Sequence, residues 1–490
     1  MKCTCYNTGK QIDNNGSLAP AGKWSGITRQ LLQIPLLICI SLLPASKAWC
    51  LQVPEALHLT MPDSKKVLNT MPALNKHHFV GSSATLLLAE VLPWAVDRYV
   101  RKMDYAYISW QTLQSNSKLA NWRWDGDGFT TNQFGHPYHG SIFYNSFRAN
   151  GHNCWQSAAA SFVGSYVWET VAENQAPAPN DFINTGFGGL VLGEISHRLA
   201  NKLTTNHTMG VARQISEAAA LIINPANAVT RLMRGQWGHR TPTSVPGDST
   251  DMGFEVDAGL RRIGNSEEAS FGWYAHCRMI YGSPFADNSN PFSHFYVNIA
   301  LGKDDSAALN ILTVYGSLMG WKTGSPWLPS LLLTANYDYI CNSAFFYSAQ
   351  SIKLNAYPLL VNTKKLHIEG SIGSGIILLS AAPDKYSTEE RNYDYCSGAN
   401  FHAGISARWG GRLFFNSMWR GGWLKTINGH ASHYFLSALT AELGLGLCNG
   451  FSFCAEPGYF SLNAHYPHNQ TLRNNYPFLR FSLKYSFHTK

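Results

Sequence analysis

The chain has 490 residues, enough for about two or three domains of ordinary size. Hydrophobic residues make up 45% of it but charged residues only 14%, against about 25% in an ordinary soluble domain. The formal net charge of +8 is spread along the chain, and the absence of a Lys/Arg-dense block excludes a nucleic-acid-binding groove. Low charge together with 13% aromatic residues favours a β-rich protein that contacts lipid.

The N-terminal segment predicts export. Lys23 and Arg29 supply positive charge, residues 31–44 form an apolar core, and residues 46–48 carry the small side chains of a cleavage site. The apolar core is shorter than the about 20 residues that a membrane-spanning helix needs. We therefore predict a signal peptide at 1–48, a linker at 49–76, and export to a Gram-negative cell envelope.

Residues 77–245 show helical periodicity and predict a helical domain. The predicted helices are 79–92, 138–150, 155–174, 181–203, 209–223 and 226–234. Pro93 is expected to kink or end the first of them. No helix contains an uninterrupted apolar run of 18 residues, so none is predicted to cross a membrane. Gly186, Gly189 and Gly193 share one face of the 181–203 helix, which should let another helix approach closely.

Residues 246–490 predict a transmembrane β-barrel. From Gly253 onward, about twelve alternating segments follow one another, and a tilted membrane strand needs about 9–11 residues. The predicted fold class is therefore α+β, an N-terminal helical domain followed by a C-terminal antiparallel β-barrel of about 12 strands. A soluble β-sandwich or lipocalin-like barrel is the alternative, but it would expose a charged face. Aromatic residues near segment ends predict interfacial girdles: Trp321, Trp327, Tyr337, Tyr339, Trp409, Trp419 and Trp423.

Several short motifs occur in order between residues 80 and 240. They are Asn132-Gln133, His136-Pro137-Tyr138, the step from Arg148 to Gly151, Trp168-Glu169, Asn180-Asp181, Gly188-Gly189, Gly193-Glu194 and His197-Arg198. In these motifs the region resembles an uncharacterised family of bacterial envelope proteins, known only as a domain of unknown function. The resemblance implies an envelope location and no known activity, so the chemistry has to be argued from the residues.

The same region contains a candidate polar cluster. Its members are His136, His139, Arg148, Glu169, Glu173, Asp181, Glu194, His197 and Arg198. Glu194 and His197 form one Glu-x-x-His motif, whereas carboxylate-bridged di-metal bundles use two on separate helices. The sequence therefore assigns no metal, catalytic residue or cofactor. It favours a structural interpretation, in which Glu169 or Glu173 pairs with Arg148 or Arg198.

A second acidic feature is the loop at residues 124–128. Asp125 and Asp127 have the spacing of the first and third ligands of a calcium loop, but no glutamate stands at the twelfth position. An ordinary turn is the favoured interpretation.

Two functions agree with this sequence. The first is a non-enzymatic outer-membrane barrel protein with a periplasmic or lumen-plugging helical domain, serving permeation, lipid handling or envelope organisation. The alternative is a lipid- or lipopolysaccharide-modifying enzyme with a His/Glu centre in the helical domain. The expected partners are outer-membrane lipid and the barrel-assembly machinery, which would read the aromatic final strand at 478–487. No nucleic-acid partner is expected.

Overall fold

The computed structural model describes residues 79–489 except 207, 241–250, 265–268, 303–307, 343–345 and 388–390. The predicted signal peptide and linker lie outside the described residues. The described chain forms two compact units. A helical unit comes first, and a barrel unit contains the segment from Thr250 onward together with the short segment Asp127–Thr130. The predicted fold class, helices followed by an antiparallel barrel, is confirmed.

The helical unit has seven α-helices in its described residues. They are α1 Phe79–Ala95, α2 Trp110–Asn116, α3 His136–Arg148, α4 Cys154–Val167, α5 Pro179–Thr205, α6 Gly210–Ile223 and α7 Pro225–Met233. Local sequence explains several helix starts. Asn153 and Gln156 form a capping box at the start of α4, and Pro179 occupies the first turn of α5. The sequence did not predict the short helix α2.

Three π-helical turns adjoin these helices. Val96–Arg101 follows α1, Thr131–Gly135 precedes α3, and Trp168–Ala172 follows α4. Helix α1 does not end at Pro93, because it continues to Ala95 and into the wider π turn. By length and composition alone, the segment Phe79–Arg101 could cross a membrane, with a mean hydropathy of 1.5. The criterion of an uninterrupted apolar run of 18 residues does not select this segment, because Glu90 and Asp97 lie within it.

Helices α3 and α5 approach each other at glycines. A Cβ atom added at Gly140 would lie 1.9 Å from the backbone oxygen of Thr185, and one added at Gly189 would lie 2.6 Å from the backbone oxygen of Gly140. At Gly193 the ring of Tyr144 occupies the space that a side chain would need. The predicted close approach at Gly189 and Gly193 is therefore present, and it brings the polar residues of α3 and α5 together.

In the described residues of the barrel unit there are thirteen strands. They are β1 Met252–Ile263, β2 Ser270–Tyr281, β3 Phe295–Gly302, β4 Leu309–Lys322, β5 Ser330–Cys341, β6 Phe346–Ala356, β7 Leu359–Asn362, β8 Leu366–Pro383, β9 Tyr393–Trp409, β10 Leu413–Asn428, β11 His433–Gly446, β12 Phe451–His465 and β13 Leu472–Thr489. All paired neighbours are antiparallel. β13 pairs with β1, and β6 pairs with β8, so twelve strands close a barrel while β7 adds only to the edge of β8.

The barrel has an apolar exterior and a polar interior. On β13 the side chains of Phe481 and Leu483 are 46% and 51% exposed, whereas Ser482 and Lys484 between them are 5% and 0% exposed. Because side chains alternate across a strand, the charged residues face the lumen and the apolar ones face outward. This is the reverse of a soluble barrel.

The aromatic girdle prediction is partly wrong. Trp321, Trp327 and Trp409 are exposed near the barrel end where β1 begins and β13 ends. Tyr337 and Tyr339 are instead fully or almost fully buried, so they belong to no exposed girdle.

The segment Asp127–Thr130 packs within the barrel unit through the side chain of Phe129. The ring of Phe129 packs against Tyr339, Phe346 and Tyr393, and the Tyr393 hydroxyl donates to the backbone oxygen of Asp127 at 2.9 Å. Phe129 is 1% exposed. We call Tyr339, Phe346 and Tyr393, which surround this ring, the Phe129 seat.

Candidate functional site

The candidate polar cluster of the helical unit divides into three groups. The first group is His136, Glu169 and Asp181; the second is Arg148, Glu194, His197 and Arg198; the third is His139 and Glu173. Each group has its own contacts and therefore its own chemistry.

In the second group, the carboxylate of Glu194 is fully buried and fully bonded. Arg148 donates to its two oxygens at 2.7 and 3.1 Å, Arg198 donates at 2.9 Å, and the Tyr144 hydroxyl donates at 2.7 Å. Burial alone would raise the pKa of Glu194, but the two guanidinium groups hold this pKa well below its usual value. The predicted partners of Arg148 and Arg198, Glu169 or Glu173, are therefore wrong. Arg198 lies one turn after Glu194 on α5, and Arg148 reaches the same carboxylate from α3.

His197 lies beside this ion-pair group without joining a metal site. Its Nε2 atom is 2.9 Å from the side-chain amide of Asn201. Burial lowers the pKa of His197 to about 3, and the charge of Arg148 adds to the effect. Because Arg148, Arg198 and Tyr144 occupy the oxygens of Glu194, the Glu-x-x-His motif serves as a packing element here.

The buried His197 predicts a loss of stability in acid. Its folded pKa lies below the about 6.5 of an unfolded histidine, so the unfolded chain binds more protons and stability falls as pH decreases below 6.5. We expect a cost of about 2–3 kcal/mol by pH 4.5. Replacing His197→Gln should lower the acid midpoint of the helical circular-dichroism signal of the full chain. The matched variant His239→Gln, at an exposed position, should keep the wild-type midpoint. Equal midpoints for all three proteins would contradict this prediction.

The third group is a packing contact between α3 and the turn after α4. The indole nitrogen of Trp168 donates to Glu173 Oε1 at 2.6 Å, and the Trp168 ring meets the His139 ring edge-on at 4.7 Å. Burial lowers the pKa of His139 to about 4, so the imidazole is neutral at neutral pH. Neither residue approaches the first group as a ligand.

The first group brings together one nitrogen and two carboxylates from three elements. His136 begins α3, Glu169 lies in the π turn Trp168–Ala172, and Asp181 lies in the first turn of α5. One ligand atom from each lies within 4.8 Å of the others. His136 Nε2 is 3.5 Å from Asp181 Oδ1, and burial lowers the pKa of His136 to about 3. A neutral imidazole and two nearly buried carboxylates thus face one another.

The loop at residues 124–128 contributes to the surroundings of this group. The backbone nitrogen of Asp125 donates to Asn180 Oδ1 at 3.0 Å, and the amide of Asn132 donates to Asp125 Oδ2 at 2.7 Å. Asn180 in turn donates to Asp181 Oδ1 at 2.8 Å. Asp125 therefore supports Asp181 through Asn180, which fits the favoured interpretation of an ordinary turn.

At one level of the barrel unit, apolar side chains from many strands pack together in the interior. They come from strands around the barrel and pack as one buried cluster, which we call the lumen plug: Ile263, Ala349, Ile377, Ala382, Cys396, Leu424, Tyr434, Leu436, Phe460, Leu462, Ala464, Tyr466 and Phe478. The rings of Phe460 and Phe478 stack at 5.0 Å within it. The plug lies toward the end of the barrel opposite the start of β1.

Below the plug the lumen contains a chamber of about 1050 Å³. The chamber extends to the exposed turn residues Arg412 and Gly450. One wall, from β1, β2, β11 and β13, carries paired charges. Arg278 lies 3.0 Å from Glu442 and 3.4 Å from Glu255, and the buried Lys484 ammonium contacts the same two carboxylates.

The opposite wall carries a basic cluster formed by Lys353, His402 and Arg420. His402 on β9 is directly opposite Arg420 on β10, and glycines on β8 leave the space that Lys353 and His402 occupy. Asp338 on β5 is the acidic residue that interacts electrostatically with Lys353. Within the described part of the chain, neither Lys353 nor Arg420 has a carboxylate within ion-pair distance. Alternation and charge alone could not identify this cluster, because it depends on strand register.

A second group of ligand-type side chains lies in the barrel unit near the plug. Asp394 accepts hydrogen bonds from Ser432, Tyr434 and the backbone nitrogen of His430 at 2.8 to 3.0 Å. Asp384 contacts the His430 imidazole. These bonds hold the hairpin between β10 and β11 in place, and the sequence analysis missed the group because its members lie far apart along the chain.

Two further residues of the helical groups were also missed, although the sequence contained a signal for each. Tyr144 lies one turn before Arg148 on α3, and Thr185 lies one turn after Asp181 on α5. Residues four apart share a helix face, so both could have been assigned to the polar faces that carry the cluster.

Comparison with known proteins agrees with the proposed family resemblance. Residues 121–226 match the family described as Domain of unknown function (DUF3943), a shorter stretch than the predicted 80–240. No curated protein shows significant similarity to the chain.

Several solved structures match about half of the chain. The NanC porin is 9% identical, with 47% of this chain and 98% of that chain covered and a TM-score of 0.29. The KdgM porin is 11% identical, with 48% and 99% covered and a TM-score of 0.25. The outer membrane protease OmpT from Escherichia coli is 9% identical, with 50% and 100% covered and a TM-score of 0.17. Sequence identities and TM-scores this low support no inference about the function of this chain.

Proposed function

We propose that this chain is an integral outer-membrane protein with a non-enzymatic role, in which the barrel lumen binds an anionic solute and does not conduct it freely. The observation that carries this proposal is the combination of an apolar barrel exterior, a charged chamber and an apolar lumen plug. The exterior supports the membrane location, and the interior supports binding in place of permeation.

The apolar side chains on the barrel exterior support a location in a lipid bilayer. Leu260, Phe271, Ile376, Leu443 and Phe453 are each between 50% and 74% exposed on strands around the barrel. Exposed apolar patches of this extent are unfavourable in water, whereas lipid covers them in closed barrels. Closure also leaves the twelve barrel strands without a free edge, as a membrane requires.

The interior supports binding of negatively charged solutes. On the paired wall, Arg278 and Lys484 are neutralised by Glu255 and Glu442, so their charge is already satisfied. On the other wall, Lys353 and Arg420 lack such partners in the described residues. An anionic group in the chamber would therefore meet guanidinium and ammonium groups at low local dielectric, where the attraction is stronger than in water.

Sucrose octasulfate and sucrose provide a direct test on the purified full chain in detergent. We expect the protein to be recovered from the outer-membrane fraction, and to bind the sulfated sugar about tenfold or more tightly than sucrose, with the preference weakening as salt is raised. The double variant Lys353→Gln and Arg420→Gln should lose the preference. Lys425→Gln, an exposed lysine on the outer face of β10, is the matched control and should retain it.

Two results would contradict the proposal. A chain that stays soluble without detergent would exclude the membrane location. Equal binding of the two sugars, or a preference that survives the double variant, would exclude the basic cluster as the binding wall.

A further inference from the structure

We propose that His136, Glu169 and Asp181 form a binding site for one divalent first-row transition ion, such as Zn²⁺ or Mn²⁺, in the helical unit. All three residues belong to the helical unit, and the proposal does not depend on solute binding in the barrel lumen.

Charge balance is the first argument for a divalent ion. Glu169 and Asp181 are 3% and 4% exposed, and burying two carboxylates side by side costs several kcal/mol unless a cation or a proton compensates them. One divalent ion would match the two negative charges of this carboxylate pair.

The donor set is the second argument, and it selects the class of ion. One imidazole nitrogen and two carboxylate oxygens suit zinc, manganese or iron(II), whereas calcium and magnesium prefer oxygen ligands alone. Three protein ligands within 4.8 Å of one another leave further coordination positions for water.

Outer contacts hold these ligands in orientation, as they do in known metal sites. His136 Nδ1 is 3.2 Å from the Thr185 hydroxyl, so donation from Nδ1 directs the Nε2 lone pair toward the carboxylates. Asn180 donates to Asp181 Oδ1, and the backbone nitrogen of Ala178 donates to Glu169 Oε2 at 2.9 Å. Each ligand is therefore fixed by at least one neighbour.

The backbone around the site is the third argument. His136 directly follows the π turn Thr131–Gly135, and Glu169 lies within the π turn Trp168–Ala172. Such turns are rare in helices and frequently occur at functional sites. Here they lie next to two of the three proposed ligands, and a bound ion would connect α3, the end of α4 and α5.

Metal titration of the full-length protein in detergent tests the proposal. After removal of metal with a chelator, Zn²⁺ and Mn²⁺ are added separately and bound metal is measured by equilibrium dialysis. We expect one ion per chain and a rise of several degrees in the melting temperature of the helical signal. Asp181→Asn and His136→Gln should abolish saturable binding. Thr185→Val, which alters only the orienting contact, should weaken binding about 10–100-fold.

His197→Gln and Glu173→Gln are matched controls, because they change members of the other two groups, and they should keep the stoichiometry of one. If a ligand variant fails to fold, the absorption of Co²⁺ bound to the wild-type protein and to Thr185→Val provides a second measurement. A folded wild-type chain that binds neither ion at millimolar concentration would overturn the proposal. So would one ion per chain retained by both Asp181→Asn and His136→Gln.

Discussion

Replacing Glu194→Gln should destabilise the helical unit by about 3–5 kcal/mol, the largest single-residue effect that we expect in this protein. The carboxylate is completely buried and compensates two guanidinium groups, Arg148 and Arg198. The amide would remove the negative charge that Glu194 supplies to both guanidinium groups. Only one of its two terminal atoms could still accept a hydrogen bond, so the bond from the Tyr144 hydroxyl would compete with those from the arginines. Chemical denaturation followed by the helical circular-dichroism signal measures the loss.

A matched variant separates this ion-pair group from ordinary polar burial. Glu173→Gln keeps an amide oxygen that can still accept from the Trp168 indole, so it should cost only about 1 kcal/mol. The double variant Arg148→Met and Glu194→Met should cost less than the sum of its single variants, because neither member of this pair is left buried without the other. Additive costs would show that Glu194 and Arg148 do not act as a pair.

The lumen plug predicts that the wild-type protein conducts no steady ion current in a planar bilayer. The triple variant Leu436→Ala, Phe460→Ala and Phe478→Ala should produce discrete channel openings, because it removes two stacked rings and an isobutyl group from the lumen plug. Twelve strands enclose a narrow interior, so side chains decide whether it conducts.

The control for this experiment is a pair of outward-facing rings on the same two strands. Phe453 and Phe481 are stacked at 6.3 Å on the barrel exterior, and their replacement by alanine should leave the bilayer silent. Gel migration before and after heating checks that each variant remains a folded barrel. Steady current through the wild-type protein would contradict the plug.

Much of the barrel was predictable because its signal is local. Each strand carries its own alternation, as in Phe481, Ser482, Leu483 and Lys484, so twelve strands and an apolar exterior followed without knowledge of their neighbours. The plug and the basic cluster were not predictable. They depend on register around the whole barrel, which places His402 opposite Arg420 and gathers Phe460 and Phe478 at one level.

In the helical unit, too, the sequence predicted which polar residues matter but not which residues they contact. The nine polar candidates were recognisable because carboxylates and histidines stood among apolar residues. Their partners were not, since Glu169 and Glu194 look alike in sequence. Only the glycine contact between α3 and α5 decides that Arg148 meets Glu194, and that His136 meets Asp181.

The Phe129 seat has a consequence for the order of folding. The hydrogen bond from Tyr393 to Asp127 joins residues 266 positions apart, so it closes one of the longest loops in the chain. Loop closure is entropically costly, and contacts of high sequence separation form late. Moreover, the seat exists only after β5, β6 and β9 have taken their places. Residues 127–130 must therefore remain available while helices form on both sides of them, and they reach their final position only when the barrel is assembled.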